Sequence, residues 1–234
     1  GYSIAICEQT EDPRAAKGLV QRAVTRVITP GTVLDDANLS AGSHTYLGAV
    51  FFEEDNGKRE GMGAFVWADI STGQWSGVEF RKAVDIWQWV QKIAPRELVL
   101  TERQSAPPAS LLEGVRLVRL PDQHFDLRRA TERVLEAQGV REPEALGLGG
   151  KSALMRACGG ILAYLEQTQK CSPSQLQPFR PLNLGKRLLI DEMTERNLEI
   201  FRRLNGRKGK GTLRHTIDAT VTPMGGRLLE DMLR

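Results

Sequence analysis

The chain has 234 residues, which is enough for one large domain or about two of ordinary size. Its hydrophobic content of 41% and charged content of 26% are typical of globular proteins and allow a substantial core. The net charge of only +3 excludes a chain that binds nucleic acid through its overall charge, and no apolar run approaches the roughly 20 residues that a membrane-spanning helix needs.

The first part of the chain predicts two strands with a short helix between them. Residues 2–7 are aromatic and β-branched and predict a strand. The chain begins within this pattern, without an initiator Met or a signal peptide, so we expect a fragment. Asp12-Pro13 predicts a helix start, and residues 23–28 predict the second strand. The small, polar residues 32–45 predict a linker, which places the first unit at 1–31.

Residues 46–170 predict a mixed α/β domain. Its expected elements, in chain order, are strands at 46–53, 62–70 and 74–80, a helix at 81–93, strands at 97–101 and 115–120, and helices at 123–138 and 152–169. Short turns, including Asn56-Gly57, indicate that the first three strands form an antiparallel meander. In the helix at 81–93, we expect Trp89 on the outer face, as a contact surface, and the following residues on the buried face: Val84, Trp87 and Val90, with Ile86 and Ile93 beside them.

The last part of the chain predicts a linker and a helical segment. Prolines indicate the linker at 171–186, and residues 187–234 are expected to hold one helix starting near Asp191 or Thr194 and another starting near Pro223. A loop between these helices is basic, with no interleaved acid: Arg202, Arg203, Arg207, Lys208, Lys210 and Arg214. These charges fit a solvated loop, which we favour, or a contact with a phosphate backbone.

Residues 147–152 end in Gly-Lys-Ser, like the P-loop that binds nucleotide phosphates. The full motif needs a glycine at the position of Ala145, and it must follow a buried strand. The preceding residues 141–144 are Arg-Glu-Pro-Glu, which cannot form such a strand. We therefore interpret the stretch as a turn before the next helix, with Ser152 near its N-cap.

Asp69 ends one of the meander strands and raises a nuclease alternative. Nucleases of the ribonuclease-H type bind two metal ions through several carboxylates. One carboxylate is not such a site, and nothing in the sequence places Glu97 or Glu102 near Asp69. Residues 69–73, Asp-Ile-Ser-Thr-Gly, also have ordinary turn chemistry. We favour the turn and keep a metal-dependent nuclease around Asp69 as the alternative.

Neither the histidines nor the cysteines predict a metal site. No histidine has a second ligand three or four residues away, which argues against zinc. The three cysteines, Cys7, Cys158 and Cys171, are far apart and odd in number. This pattern argues against a disulfide framework and favours a reducing cytoplasm.

Three stretches resemble the MutS family, whose bacterial members recognise DNA mismatches. The first has Ala-Ile-Cys-Glu-Gln at 5–9 and Val-Ile-Thr-Pro-Gly-Thr at 27–32. The second has Leu-Ile-Asp at 189–191 and Arg-Asn-Leu-Glu at 196–199, and the third has Thr-Pro-Met-Gly at 222–225. Because the stretches follow the family's order and spacing, the chain is identified as an internal piece of a member of this family.

The resemblance implies a fold class and a domain order. Residues 1–31 would be the tail of an α/β mismatch-binding domain. Residues 46–170 would be a connector domain, with a mixed-sheet, ribonuclease-H-like α/β fold that lacks nuclease activity. Residues 187–234 would begin an all-helical core domain. The family's mismatch-reading residues and its ATPase site would lie outside the chain.

The resemblance also implies a role and partners. The connector would relay DNA and nucleotide state and dock the protein MutL. No enzyme activity, metal or cofactor is expected in this chain, whereas the full-length protein would use ATP and Mg²⁺. Mismatched duplex DNA would be bound through the full-length protein, which would be a homodimer in the cytoplasm, associated with the nucleoid.

Candidate site residues follow from the resemblance and from charge. Lys17 and Arg22 match the basic end of the mismatch-binding domain and are expected to contact the DNA backbone without sequence specificity. Arg129, Glu132 and Arg133, on the exposed face of the helix at 123–138, are the candidates for partner docking. A further alternative is a plain DNA-binding module that uses Lys17, Arg22 and the loop at 202–214.

Overall fold

The computed structural model describes residues 3–10, 20–32, 44–53, 61–105, 107, 114–169, 176–183, 190 and 192–233. The chain divides into two compact units. The first covers Gly1–Leu34 and Thr45–Leu182, and the second covers Asp35–His44 and Asn183–Arg234. The helix start expected at Asp12-Pro13 and the hairpin turn at Asn56-Gly57 lie outside the described residues, as do large parts of the two linkers expected at 32–45 and 171–186.

The first unit begins with a two-stranded hairpin. Its strands are β1 (Ile4–Gln9) and β2 (Arg22–Ile28), close to the predicted positions, and they pair antiparallel from Ile4 opposite Ile28 to Gln9 opposite Arg22. Side chains along β1 are mostly exposed, and β2 becomes progressively covered toward its end. The hairpin therefore contacts the rest of the unit mainly through the end of β2 and the turn that follows it.

The second sheet of the first unit is mixed and contains six strands within the described residues. They are β3 (Tyr46–Phe52), β4 (Gly63–Asp69), β5 (Gln74–Phe80), β6 (Glu97–Thr101), β7 (Arg116–Leu120) and β8 (Arg180–Pro181). Strands β3, β4 and β5 form the predicted antiparallel meander. Strand β6 runs parallel to β3, β7 parallel to β6, and β8 parallel to β5. The order β7-β6-β3-β4-β5-β8 confirms a mixed α/β fold.

Helices cover both faces of this sheet. They are α1 (Ala83–Ile93), α2 (Leu127–Gln138) and α3 (Ser152–Gln169). Successive side chains of a strand point to opposite faces. In β4, Trp67 stacks on Trp89 of α1, whereas Ala64, Val66 and Ala68 join the core that contains α3. Helix α1 therefore lies on one face of the sheet and α3 on the other.

Helix α3 is buried along most of its length because it lies between the sheet and α2. Two consecutive glycines allow this close packing. A Cβ atom on Gly159 would overlap Ala130 of α2, and one on Gly160 would overlap the ring of Phe125 just before α2. Helix α2 is consequently packed against α3 at backbone distance.

The buried face of α1 differs from the prediction. Trp89, expected on the outer face, is 8% exposed and stacks on Trp67 with ring centroids 5.8 Å apart. Trp87 is only partly buried against Phe52, and Val84 is 56% exposed. The prediction was wrong because a short helix with many apolar residues fits two stripes. The observed stripe has the i, i+3, i+4, i+7 spacing of a helix that packs on a sheet: Ile86, Trp89, Val90 and Ile93.

The second unit is helical in its described part. Its helices are α4 (Glu192–Asn197), α5 (Leu213–Ile217) and α6 (Pro223–Leu233). The starts of α4 and α6 agree with the sequence, and the short α5 was not predicted. The hydroxyl of Thr212 caps α5 by accepting from the His215 backbone N–H. No helix that the structure describes, in either unit, is long and apolar enough to cross a membrane.

Candidate functional site

A fully buried carboxylate lies at the start of β6, in Glu97. Its Oε1 atom accepts hydrogen bonds from Arg116 Nη1 at 2.9 Å and from the Tyr164 hydroxyl at 2.8 Å. Its Oε2 atom accepts from Thr29 Oγ1 at 2.5 Å and from the Gly31 backbone N–H at 3.0 Å. We call these five residues the Glu97 junction. Since a buried charge is tolerated only when it is paired and hydrogen-bonded, all four donors stabilise the arrangement.

The donor from α3 is held in its protonated form. Burial above all, with a contribution from the nearby Glu97 carboxylate, raises the pKa of Tyr164 well above its usual value. The phenol therefore remains a hydrogen-bond donor over the whole physiological pH range. Arg116 comes from β7, directly opposite Glu97 in the parallel ladder, and its side chain is 35% exposed. The junction thus has one solvent-facing edge, at the arginine.

The two donors to Oε2 come from a closed turn at residues 29–32, Thr-Pro-Gly-Thr. The Thr32 N–H donates to the Thr29 carbonyl at 3.0 Å, which closes a four-residue turn with proline at its second position. The Thr29 N–H donates to the Thr32 hydroxyl at 3.0 Å, and the two hydroxyl oxygens are 2.8 Å apart. Because Thr29 gives its only hydroxyl proton to Glu97, the proton between the two hydroxyls comes from Thr32.

Glycine at position 31 is required by the close approach of the turn to β6. A Cβ atom there would lie 2.8 Å from the Glu97 Cβ atom and 2.9 Å from Oε2. Real Cβ atoms essentially never approach other atoms so closely. Glycine therefore allows the backbone N–H to reach the carboxylate, which is a use of glycine that depends on space rather than on φ.

From the sequence alone, Glu97 was considered only as a possible metal-binding partner of Asp69. Two signals pointed toward its actual role. Glu97 is the single charged residue of its strand, next to three apolar residues, and the Thr-Pro-Gly-Thr stretch is part of the family resemblance. The missing information was spatial, because Thr29 and Gly31 lie 68 and 66 positions from Glu97.

Asp69 has the turn role that the sequence favours. Its Oδ1 atom accepts from the Ser71 N–H at 3.0 Å and from the Ser71 hydroxyl at 2.6 Å, and its carbonyl accepts from the Gly73 N–H at 2.9 Å. Among the residues whose placement is described, no group of three or more histidine, cysteine, aspartate or glutamate side chains could hold a metal ion. The nuclease alternative therefore has no observation in its support.

The Gly-Lys-Ser stretch also has the structure of a turn. It follows a 3₁₀ helix at Pro143–Leu146 rather than a strand, and α3 begins at Ser152. The Ser152 hydroxyl donates to Glu53, and the carboxylate of Glu79 is near enough to the Leu154 backbone N–H for that group to lower its pKa against the larger effect of burial. Two carboxylates thus already occupy the start of α3, where a P-loop would hold phosphate, and a bound anion would be repelled by them.

The predicted docking residues on α2 differ in their exposure. Arg129 and Glu132 are exposed, and Glu132 forms an ion pair with Arg128 at 3.6 Å, one helical turn away. Arg133 turns toward α3 instead. Its Nε atom donates to both carboxylate oxygens of Glu166, at 3.2 and 3.0 Å, and its side chain is 19% exposed. The solvent-facing part of the predicted surface is therefore Arg129 and Glu132. Arg128, an exposed neighbour that was not predicted, lies beside them, and we call these three residues the α2 face.

The predicted DNA contacts are only partly visible. Lys17 lies outside the described residues, and Arg22 is exposed at the start of β2. In the basic loop of the second unit, backbone hydrogen bonds between Arg203 and Arg207 and between Gly206 and Arg203 close a turn. Arg214 contacts Glu230 at 3.4 Å. The remaining basic side chains of the loop are exposed: Arg202, Arg203, Arg207, Lys208 and Lys210.

Comparisons with known proteins agree on one family. The family model described as MutS domain II matches residues 45–177, and the model described as MutS domain I matches residues 1–37. The chain is 67% identical, over its whole length, to a protein of Desulfovibrio desulfuricans named DNA mismatch repair protein MutS. Proteins of the same name from Nitratidesulfovibrio vulgaris and Lawsonia intracellularis are 59% and 50% identical over the whole chain. The chain spans 25%, 25% and 26% of the length of these three relatives.

Proposed function

The chain belongs to the MutS family of DNA mismatch repair proteins, and on this premise we propose that it is a non-catalytic connector part of such a protein. Residues 46–170 are the proposed connector domain, with the ribonuclease-H-like fold that the resemblance implies. The antiparallel meander β3-β4-β5, extended by the parallel strands β6 and β7, supports that assignment. Residues 1–31 and 187–234 are the proposed tail of the mismatch-binding domain and start of the core domain.

The proposed role is to relay the DNA and nucleotide state of the full-length protein to a docking surface. One observation carries this proposal: the charged α2 face lies on a helix that is closely packed against α3. Ala130 and Val134 of α2 are fully buried, and α2 contacts α3 at the Gly159–Ala130 approach. A displacement of the sheet and α3 would therefore move the α2 face with them, as in rigid-body switching.

The proposed docking partner is MutL. Arg128, Arg129 and Glu132 lie side by side on one helix and carry both signs of charge. Exposed charges of this kind guide the encounter and the register of two proteins more than they add affinity. Arg133, which pairs with Glu166, would instead hold α2 in place so that the face keeps its shape.

Other activities are proposed only for the full-length protein. These are binding of mismatched duplex DNA, homodimer formation, and use of ATP with Mg²⁺, in the cytoplasm near the nucleoid. Lys17 and Arg22 are proposed phosphate contacts of that protein. For the present chain we propose no enzyme activity and no bound cofactor.

A calorimetric titration of the 234-residue chain against the N-terminal ATPase region of MutL tests the docking role. We expect saturable binding that Arg129→Glu weakens by about tenfold, the usual scale for reversing one interfacial charge. Arg81→Glu is the matched control, because Arg81 is an exposed arginine beside α1, on the opposite face of the sheet. Absence of binding, or equal weakening by both variants, would refute docking through the α2 face.

A further inference from the structure

The Glu97 junction connects two parts of the first unit that lie far apart in sequence. Oε1 is held by Arg116 of β7 and Tyr164 of α3, which both belong to the domain around the large sheet. Among the described residues, the donors to Oε2 are Thr29 and Gly31, in the turn after β2. Each carboxylate oxygen therefore serves one of the two parts.

We propose that Glu97 is a latch that holds the β1–β2 hairpin and its turn at 29–32 on the large sheet. When the Oε2 bonds break, the hairpin and the turn detach together while the large sheet stays folded. Glu97 is thus a positioning residue, which fixes where the segment preceding the connector sits. The latch is distinct from the docking role and holds whether or not the chain binds MutL.

The latch is strong because of its chemistry and its burial. Hydrogen bonds to an ionised carboxylate are shorter and stronger than bonds between neutral groups. Thr29 and Thr32 are almost completely buried, at 3% and 1% exposure, so few water molecules can compete while the turn is seated. Arg116 also donates to the Ser3 hydroxyl at 2.5 Å, but that contact is exposed.

A carboxylate can accept hydrogen bonds from all four donors of the junction, whereas an amide at this position cannot. A glutamine side chain would present an NH₂ group to one pair of donors, either Thr29 and Gly31 or Arg116 and Tyr164. The Gly31 N–H and the arginine cannot accept a hydrogen bond, so one of them would always lose its partner. Arg116 can turn to solvent, so the amide group of Glu97→Gln could face Arg116 and leave the bonds from Thr29 and Gly31 intact. Removal of the Thr29 hydroxyl is therefore the sharper test.

Hydrogen exchange with mass spectrometry on the intact 234-residue chain tests the latch. Thr29→Val keeps the shape and removes the hydroxyl, and Thr29→Ser keeps the hydroxyl. Thr168→Val removes a buried hydroxyl of α3 that donates to the backbone carbonyls of Tyr164 and Leu165. Loss of one such bond corresponds to a change of about tenfold in an opening equilibrium. We therefore expect Thr29→Val to speed exchange in β1 and β2 about tenfold and to leave β4 unchanged.

The two reference variants complete the test. Thr29→Ser and Thr168→Val should leave exchange in the hairpin at its original rate. If Thr29→Val has no effect on the hairpin, or if the hairpin of the unmodified chain already exchanges like an unfolded peptide, the latch does not exist. If the hairpin and β4 speed up together, Glu97 stabilises the whole unit and the inference is overturned.

Gly31→Ala provides a second, independent route. This substitution changes none of the hydrogen-bonding side chains, but its added Cβ atom pushes the turn away from Glu97. The same selective acceleration in β1 and β2 is expected. If neither Gly31→Ala nor Thr29→Val changes hydrogen exchange in the hairpin, the proposal is contradicted.

Discussion

Substitution of Tyr164 tests how much one hydrogen-bond donor of the junction contributes to the free energy of unfolding. Tyr164→Phe keeps the ring and removes a hydrogen bond at 2.8 Å to a carboxylate that has no access to water. Removing one hydrogen-bond partner of a buried acceptor costs on the order of 1–3 kcal/mol, and Oε1 keeps Arg116 as its other partner. We expect the free energy of unfolding, measured by urea denaturation, to fall by about that amount. A fall below about 0.5 kcal/mol would mean that Arg116 alone satisfies Oε1.

Glu79 offers a test by pH at the start of α3. Burial, the largest cause, raises the pKa of its half-buried carboxyl, although the Leu154 backbone N–H and Lys151 act in the opposite direction. A raised folded-state pKa means that the folded state binds the proton more tightly than the unfolded state. The resulting stability is fully present below the unfolded pKa and is lost as the pH rises through the folded pKa.

Glu79→Gln should remove this pH dependence, because the amide is uncharged and can still accept from the Leu154 N–H. We expect the variant to gain stability relative to the original chain between acidic and neutral pH. Urea denaturation at several pH values above and below the carboxyl pKa measures the difference. A stability difference that stays constant with pH would show that Glu79 titrates in the same way in both states.

At the scale of elements, the close contact between α2 and α3 determines how a glycine substitution in α3 changes stability, because there is no room for an added Cβ atom. An alanine in a helix is normally more favourable than glycine by roughly 0.5–1 kcal/mol. At Gly159 the added Cβ atom would overlap the Cα and Cβ atoms of Ala130, so the two helices must separate. Overpacking of this kind costs about 1–3 kcal/mol, so Gly159→Ala should lower the melting temperature of the first unit.

Gly226→Ala, in α6, is the matched substitution with room. The nearest atoms to its added Cβ atom are Thr220 Oγ1 at 3.5 Å and Arg214 Nη2 at 3.8 Å, which are ordinary contacts. With no steric cost, the higher helix propensity of alanine should stabilise α6, and its helical signal should persist to a higher temperature. Thermal unfolding followed by circular dichroism checks both variants. Changes of the same sign in the two would show that space does not control the outcome.

The elements of the large domain were largely predictable, whereas their contacts were not. Helix α3 has the predicted bounds, because an uninterrupted helical pattern lies between a glycine turn and a proline-containing segment. The meander followed from strand periodicity and turn residues. The orientation of α1 failed at Trp87 and Trp89, because Trp67, the partner that decides the buried face, is contributed by another element.

The candidate site was less predictable than the fold for the same reason. Local sequence indicates that Pro30-Gly31 ends the second strand and that Glu97 begins a later strand, but it does not indicate that these two parts of the chain are in contact. Arg129 and Glu132 were correctly placed on the exposed face, because helical periodicity is local. Arg133 is turned toward Glu166, 33 positions away, a pairing that periodicity alone does not contain.

At the scale of the whole molecule, the two units differ in how much apolar surface their helices bury. Helices α1 and α6 form a matched pair, because each has 11 residues. Helix α1 buries Ile86, Trp89, Val90 and Ile93, whereas the buried residues of α6 are Gly226 and Glu230. Three apolar side chains of α6 are exposed, Met224 at 73%, Leu228 at 52% and Met232 at 73%, and Leu229 and Leu233 are partly buried.

This difference predicts different local stabilities. A segment with little buried apolar surface opens at a free energy near zero, while core segments open only with the whole domain. We expect amide protons of α6 to exchange at least about tenfold faster than those of α1, measured residue by residue by NMR at constant pH and temperature. Equal protection of the two helices would mean that α6 is covered in solution, for instance by a second copy of the chain. In that case, protection of α6 should fall on dilution, because a contact between copies depends on protein concentration whereas a contact within one chain does not.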